Sequence, residues 1–199
     1  MMKIDFYFDF ISPFSYLAAM KIGEFKKIHG LQIQWMPVNL PSLISMSDNT
    51  PPSHIPNKAR YLVRELKRKA KEMTLPLKLI RPGTFDSREA MYIACALNEK
   101  DRECFCLAVF NNLWSGEVDV GKADWLKEIM VKEKLPEQWL SYDAETAKHT
   151  LQSNTAHAYA AGAFGAPSFV LHKGGRKELF FGVDHMDELA AACTEKNDR

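Results

Sequence analysis

The segment from Lys3 to Phe10, KIDFYFDF, alternates in hydropathy and is rich in aromatic residues, which predicts a β-strand. Ser12 and Pro13 then stand as N-cap and first-turn proline of a helix, and Leu17, Met20, Ile22 and Phe25 continue at helical spacing as far as His29-Gly30. Alternation returns over Leu31 to Met36, a second strand able to lie parallel to the first through a right-handed crossover. Between Pro41 and Pro56 the periodicity stops, and the proline- and serine-rich stretch reads as a long surface loop of the kind that often carries binding residues. Helical spacing resumes from Lys58 to Leu140 in three stretches, KARYLVRELKRKAKEM, SREAMYIACALNEKDRECFCLAVFNNLWSG and ADWLKEIMVKEKL. Ala144 to Ala161 predicts another helix, Ser168 to His172 a strand, Gly174-Gly175 a turn and Glu178 to Phe181 the hairpin partner. Asp184 marks the start of a last helix with Met186, Leu189 and Cys193 on its apolar face. The order is βαβ, helices, αββα: an α/β scaffold made of residues 1–45 and 150–199 that encloses a helical insertion, 46–149.

Composition narrows this picture in a few places. With 199 residues, 46% hydrophobic and 26% charged, the chain can bury a substantial core. A net charge of +1 gives no reason to propose nucleic acid or an acidic membrane as partner, so any anionic ligand must be held locally. The amino-terminal segment is broken by Asp5 and Asp9 and lacks the pattern of a secretory signal, and no apolar run reaches the roughly 20 residues of a spanning helix. A soluble, cytoplasmic protein is expected. Cys95, Cys104, Cys106 and Cys193 match neither a CxxC redox pair nor a zinc framework, and they read as structural thiols. His29, His54, His149, His157 and His172 show no paired spacing and read as surface residues, and no metal is expected.

Three short segments carry candidate chemistry. The turn Asp9-Phe10-Ile11-Ser12-Pro13 sets Ser12 beside the free N–H groups of a helix N-terminus, where it serves either as a simple cap or as part of an anion site. Gly165-Ala166-Pro167-Ser168 enters a strand, and a cis bond before Pro167 would expose the Ala166 backbone to an extended ligand. Phe181-Gly182-Val183-Asp184-His185-Met186 offers Asp184 as a helix cap or as a receptor for a zwitterionic peptide.

Through FYFDFISPFSYLA, NTPPSHIPNKARYL, FGAPSF and FGVDHM the whole chain resembles the kappa-class glutathione transferases and, more closely, the 2-hydroxychromene-2-carboxylate isomerases. The resemblance implies a thioredoxin-like, DsbA-type fold with an inserted helical domain, in which serine, here Ser12, replaces the attacking cysteine of the oxidoreductases. It implies glutathione as cofactor, with Ser12 hydrogen-bonding the sulfur and Ala166, before a cis Pro167, pairing with the cysteinyl backbone. Asn49 and Lys58 match positions that contact the ends of the tripeptide, and Val183 and Asp184 match the pair that receives the γ-glutamyl group. The family commonly has a polar residue at the first of these and arginine after the aspartate, so Val183 and His185 remove a side-chain hydrogen bond and a fixed charge.

In the implied isomerase reaction the thiolate adds to the conjugated ring carbon of a chromene carboxylate, the ring opens, rotation occurs about the former double bond, and elimination returns glutathione and the trans-o-hydroxybenzylidenepyruvate. The nearest alternative is a kappa-class transferase or peroxidase, and in the transferase reading the thiol is consumed by an electrophile. A non-catalytic glutathione or peptide-binding protein is the third reading, whereas disulfide exchange is disfavoured because SPFS holds no thiol. Ser15 and the aromatic residues Phe14, Tyr16, Phe85 and Trp114 are candidates for the acceptor pocket or for the core, and Arg88 and Lys58 are candidates for a substrate carboxylate. A homodimer is expected from the resemblance.

Overall fold

The computed structural model describes residues 2–81 and 83–195. Its centre is a four-stranded sheet of β1 (Lys3–Phe8), β2 (Ile33–Pro37), β3 (Ser168–Lys173) and β4 (Arg176–Phe181), in the order β2-β1-β3-β4. β1 pairs in parallel with β2 (Phe6 opposite Trp35) and antiparallel with β3 (Phe6 opposite Phe169), and β3 and β4 form a hairpin. Gly174 and Gly175 close that hairpin with φ values of 58° and 78°, a left-handed pair that glycine adopts without strain. Helix α1 (Pro13–His29) makes the crossover from β1 to β2, and Gly30 ends it at φ 63°. This is the thioredoxin-like arrangement, entered as βαβ and left as αββα.

Between the two halves of the sheet lie α2 (Leu40–Met46), α3 (Pro56–Glu72), α4 (Arg88–Ala96), α5 (Glu99–Ser115), α6 (Trp125–Lys132) and α7 (Ala144–Ala160). Two expectations need correction here. The stretch from Pro41 to Pro56 is not all loop: Asn39 accepts a hydrogen bond from the Ser42 N–H at 2.9 Å and starts α2, and Pro52–His54 add a 3-10 turn. Proline is compatible with a first helical turn, and only Leu43 of α2 is buried, so no apolar period marked the helix. The long helical run from Ser87 to Gly116 is also divided, at Leu97-Asn98. Asn98 caps α5 by accepting from the Asp101 N–H at 3.1 Å, and Leu97 is extended. The guanidinium of Arg102 donates to the carbonyls of Ala94 and Leu97, each at 2.7 Å, and thereby satisfies the end of α4. It also reaches the Trp35 carbonyl on β2 at 3.2 Å.

The core runs without a break from the sheet into the helical segment. Phe6 and Phe8 stack at 5.3 Å and meet the edge of Trp35, Phe8 lies 5.6 Å from Phe110 of α5, and Phe10 lies 4.8 Å from the same ring. On the opposite face Tyr7 and Val170 pack with Leu43 and Ala158, so α2 and α7 close the second side of the sheet. Covering both faces of β1 buries every residue after Lys3 in that strand. One histidine departs from the expected surface role. His172 is half-buried, with its Nε2 2.8 Å from a carboxylate oxygen of Asp5, whereas His29, His54, His149 and His157 are exposed. Among the described residues no helix is long and apolar enough to cross a membrane.

Candidate active site

Ser12 is the N-cap of α1, and its φ of −92° and ψ of 111° turn the chain from the strand into the helix. Its Oγ accepts from the Ser15 N–H at 3.1 Å and donates to the Ala166 carbonyl, also at 3.1 Å. The cap and the junction with the other half of the sheet are therefore one hydroxyl. The Ala166-Pro167 bond is cis, Ala166 is half-buried and Pro167 is buried. One residue further, the Gly182 N–H donates to the Pro167 carbonyl at 2.9 Å, which ties the end of β4 to the same loop. Ser15 holds the position three residues after Ser12, and its hydroxyl is buried without a partner among the described residues.

The turn that presents Ser12 is built on a buried carboxylate that sequence reasoning missed. Asp9 is only 3% exposed. It accepts from the Ile11 N–H at 3.1 Å, from the Leu40 N–H at 3.0 Å and from the Ser87 hydroxyl at 3.1 Å. It thus clamps the turn, the start of α2 and the start of α4 together. Burial pushes this carboxyl up to about 6, against the pull of those hydrogen bonds. The Trp114 indole N–H completes the support by donating to the Phe10 carbonyl at 3.0 Å. Trp114 and Tyr16 are consequently core residues; the Tyr16 hydroxyl donates to the Pro76 carbonyl at 2.8 Å and straps the segment after α3 over α1. Phe14 and Phe85 are partly buried against the same core.

The remaining predicted site residues lie in three places. Val183 and Asp184 belong to a 3-10 turn, Val183–His185, that precedes α8 (Met186–Thr194). Val183 is buried, and Asp184 does not cap α8. Its carboxylate instead pairs with Lys69 of α3. Asn49 is exposed and accepts from the N–H of Thr50 at 2.9 Å, within its own turn. Lys58 stands in the first turn of α3, exposed, beside a shallow groove of about 370 Å³ lined by Pro52, Asn57, Lys58, Tyr61 and Leu62. Hydrogen bonds join Ser12, Ala166, Pro167 and the turn at Gly182, and none recorded among the described residues joins Asn49 or Lys58 to that group. Arg88 is held by Asp86, two residues earlier, with Nε 2.7 and 2.9 Å from the carboxylate oxygens, and this exposed pair lowers the Asp86 carboxyl below its usual range.

The donor set suits a small peptide with a thiol at its centre. A carbonyl beside a cis proline accepts a backbone N–H, a hydroxyl at a helix N-terminus donates to a sulfur anion, and charged side chains stand at both ends of α3. From Lys58 to Lys69 that helix rises about 16 Å at 1.5 Å per residue, against about 11 Å for three fully extended residues, a difference that the two long lysine side chains can span.

Residues 3–194 match the DSBA-like thioredoxin domain. The chain is 31% identical to a 2-hydroxychromene-2-carboxylate isomerase of Pseudomonas putida, over 96% of this chain and 94% of that protein. It is also 31% identical to glutathione S-transferase kappa 1 of Caenorhabditis elegans, over 94% and 89%. A solved 2-hydroxychromene-2-carboxylate isomerase superposes with a TM-score of 0.78 at 25% identity, covering 96% of this chain and 94% of that one.

Proposed function

This chain belongs to the DSBA-like thioredoxin domain family, and within it we propose a glutathione-dependent isomerase that converts 2-hydroxychromene-2-carboxylate-type compounds to trans-o-hydroxybenzylidenepyruvates. The observation that carries the reading is the Ser12 hydroxyl, bonded both to the helix start and to the carbonyl before a cis proline, in a motif with serine at both thiol positions. Residues 12 and 15 offer no thiol pair for disulfide exchange at this turn, which supports a thiol nucleophile brought by a ligand. Glutathione, when bound, supplies a thiolate that can act as nucleophile and then as leaving group.

The protein's part is to hold that sulfur as an anion. A free thiol has a pKa of about 8.5 and is mostly protonated at neutral pH. With the ligand in place Ser12 would turn its hydroxyl proton from the Ala166 carbonyl toward the sulfur, and the start of α1, where the Phe14 N–H has no recorded partner among the described residues, would add positive potential. Ala166 offers its backbone to the cysteinyl residue, and Val183 and Asp184 receive the γ-glutamyl end. Asn49 and Lys58 remain for the glycyl end, with Lys58 beside the groove at the start of α3. Similarity to the kappa-class protein at the same identity as to the isomerase supports a second reading, transfer of glutathione to an electrophile.

Calorimetric titration with reduced glutathione, followed by absorbance measurement of chromene-carboxylate turnover with and without it, tests the proposal. Binding and glutathione-dependent turnover are expected, with Ser12→Ala keeping the fold, losing about 100-fold in kcat and losing the ultraviolet thiolate absorbance of the complex. Binding together with conjugation of an electrophile, and no isomerisation, selects the transferase. Absence of binding overturns both.

A further inference from the structure

Asp184 forms an ion pair with a residue distant in sequence, Lys69, at the far end of α3. Lys69 is also 3.5 Å from Glu65, one helical turn earlier, and Glu65 in turn holds Arg68 at 2.8 Å. The two partners differ in exposure: the Lys69 side chain is 16% exposed, the Asp184 side chain 58%. Lys69 is therefore fixed by packing and by two carboxylates, while Asp184 keeps acceptor sites open to solvent. The carboxylate beside Lys69 also raises its pKa above the ordinary lysine value, so its charge is permanent at any physiological pH.

The residue after Asp184 does not supply this charge. His185 is exposed and its Nδ1 lies 3.9 Å from Glu188, on the side of α8. A cation and an anion thus stand side by side, with the cation drawn from α3 and the anion, more than half exposed, from the turn Val183–His185. That turn begins next to the candidate sulfur site, because the Gly182 N–H is bonded to the Pro167 carbonyl. Asp184 stands two residues beyond Gly182, at most about 7 Å of chain.

An α-amino acid group is a zwitterion that carries both charges on one carbon, and a fixed lysine beside an open aspartate is its complement. We infer that Lys69 binds the α-carboxylate of the ligand's γ-glutamyl end while Asp184 takes the α-ammonium, so that Lys69 provides from α3 the fixed charge that His185 does not. The inference rests on the glutathione reading above. It assigns Lys69 a ligand-binding role in addition to its structural contact with Asp184.

Two glutathione analogues separate these roles. γ-Aminobutyryl-cysteinyl-glycine lacks only the α-carboxylate, and glutaryl-cysteinyl-glycine lacks only the α-amino group. Calorimetric titration of the full chain is expected to show each analogue binding about tenfold more weakly than glutathione. Lys69→Met should weaken glutathione and the glutaryl peptide about tenfold and leave the aminobutyryl peptide unchanged. Asp184→Asn should give the converse, and Lys69→Arg should restore glutathione binding. If wild-type protein binds glutathione but Lys69→Met weakens all three peptides equally, or none of them, Lys69 is a structural tether and the inference is overturned. If Lys69→Met does not fold, the two analogues on the wild-type chain decide the matter: equal affinity of glutathione and the aminobutyryl peptide removes the carboxylate contact. No binding of glutathione to wild type would instead overturn the function itself, and the inference with it.

Discussion

Asp9 shows how one buried group can shape both the site and the stability of the protein. Its carboxyl has three donors, yet burial outweighs them and raises it from 3.8 to about 6. A carboxyl raised in the folded state binds its proton more tightly there than in the unfolded chain. Its contribution is therefore fully present below the unfolded value and is lost as pH rises through about 6. The gap corresponds to about 3 kcal/mol. Urea unfolding of the wild-type chain should show stability falling by up to that amount between pH 4 and pH 6.5, and Asp9→Asn should flatten that part of the profile. An unchanged profile in the variant would mean that Asp9 is charged throughout and that the three hydrogen bonds dominate. The proton on Asp9 also bears on Ser12, because the same carboxyl holds the Ile11 N–H of the turn.

The junctions between α4, α5 and β2 depend on Arg102 as much as on helix propensity. Three carbonyls converge on one guanidinium, and each would otherwise be a partly buried acceptor without a donor. Arg102→Leu is expected to cost about 3 kcal/mol in urea unfolding, and Arg102→Lys, which cannot donate along three directions from a planar fork, should recover only part of it. The elements themselves were legible to different degrees. β1, α1 and β2 follow from alternation and from the Ser12-Pro13 signal, and the hairpin follows from Gly174-Gly175, because those signals are local. α2 was hidden because one buried residue, Leu43, creates no period. The division at Leu97-Asn98 was hidden because both flanking helices carry apolar residues up to the break. At the site, Ser12 and the cis Pro167 could be anticipated from neighbouring residues. Asp9 and Lys69 could not, since their partners lie 31 and 78 residues away for Asp9 and 115 for Lys69.

The molecule as a whole joins two stretches of chain that the sequence order keeps apart. Phe8 and Phe10 from the first strand and turn lie against Phe110 of α5, and Phe105 of the same helix reaches Trp139, so no apolar boundary separates sheet from helical segment. Thermal unfolding should accordingly be a single cooperative transition, with tryptophan fluorescence and far-ultraviolet circular dichroism changing together. A separate early loss of helical signal would show that the segment 46–149 melts independently.

The double bonding of Ser12 has a consequence for what the site would accept. At rest the Ala166 carbonyl receives its proton from Ser12, and a hydroxyl that turns to a sulfur leaves that carbonyl without a donor. A peptide can fill the gap with its own N–H, whereas a simple alkyl thiol cannot and would strand the acceptor at a cost of about 1–3 kcal/mol. On the glutathione reading the resting contact would act as a discriminator: it would disfavour simple alkyl thiols by roughly 5- to 150-fold, before any side chain of the ligand is read.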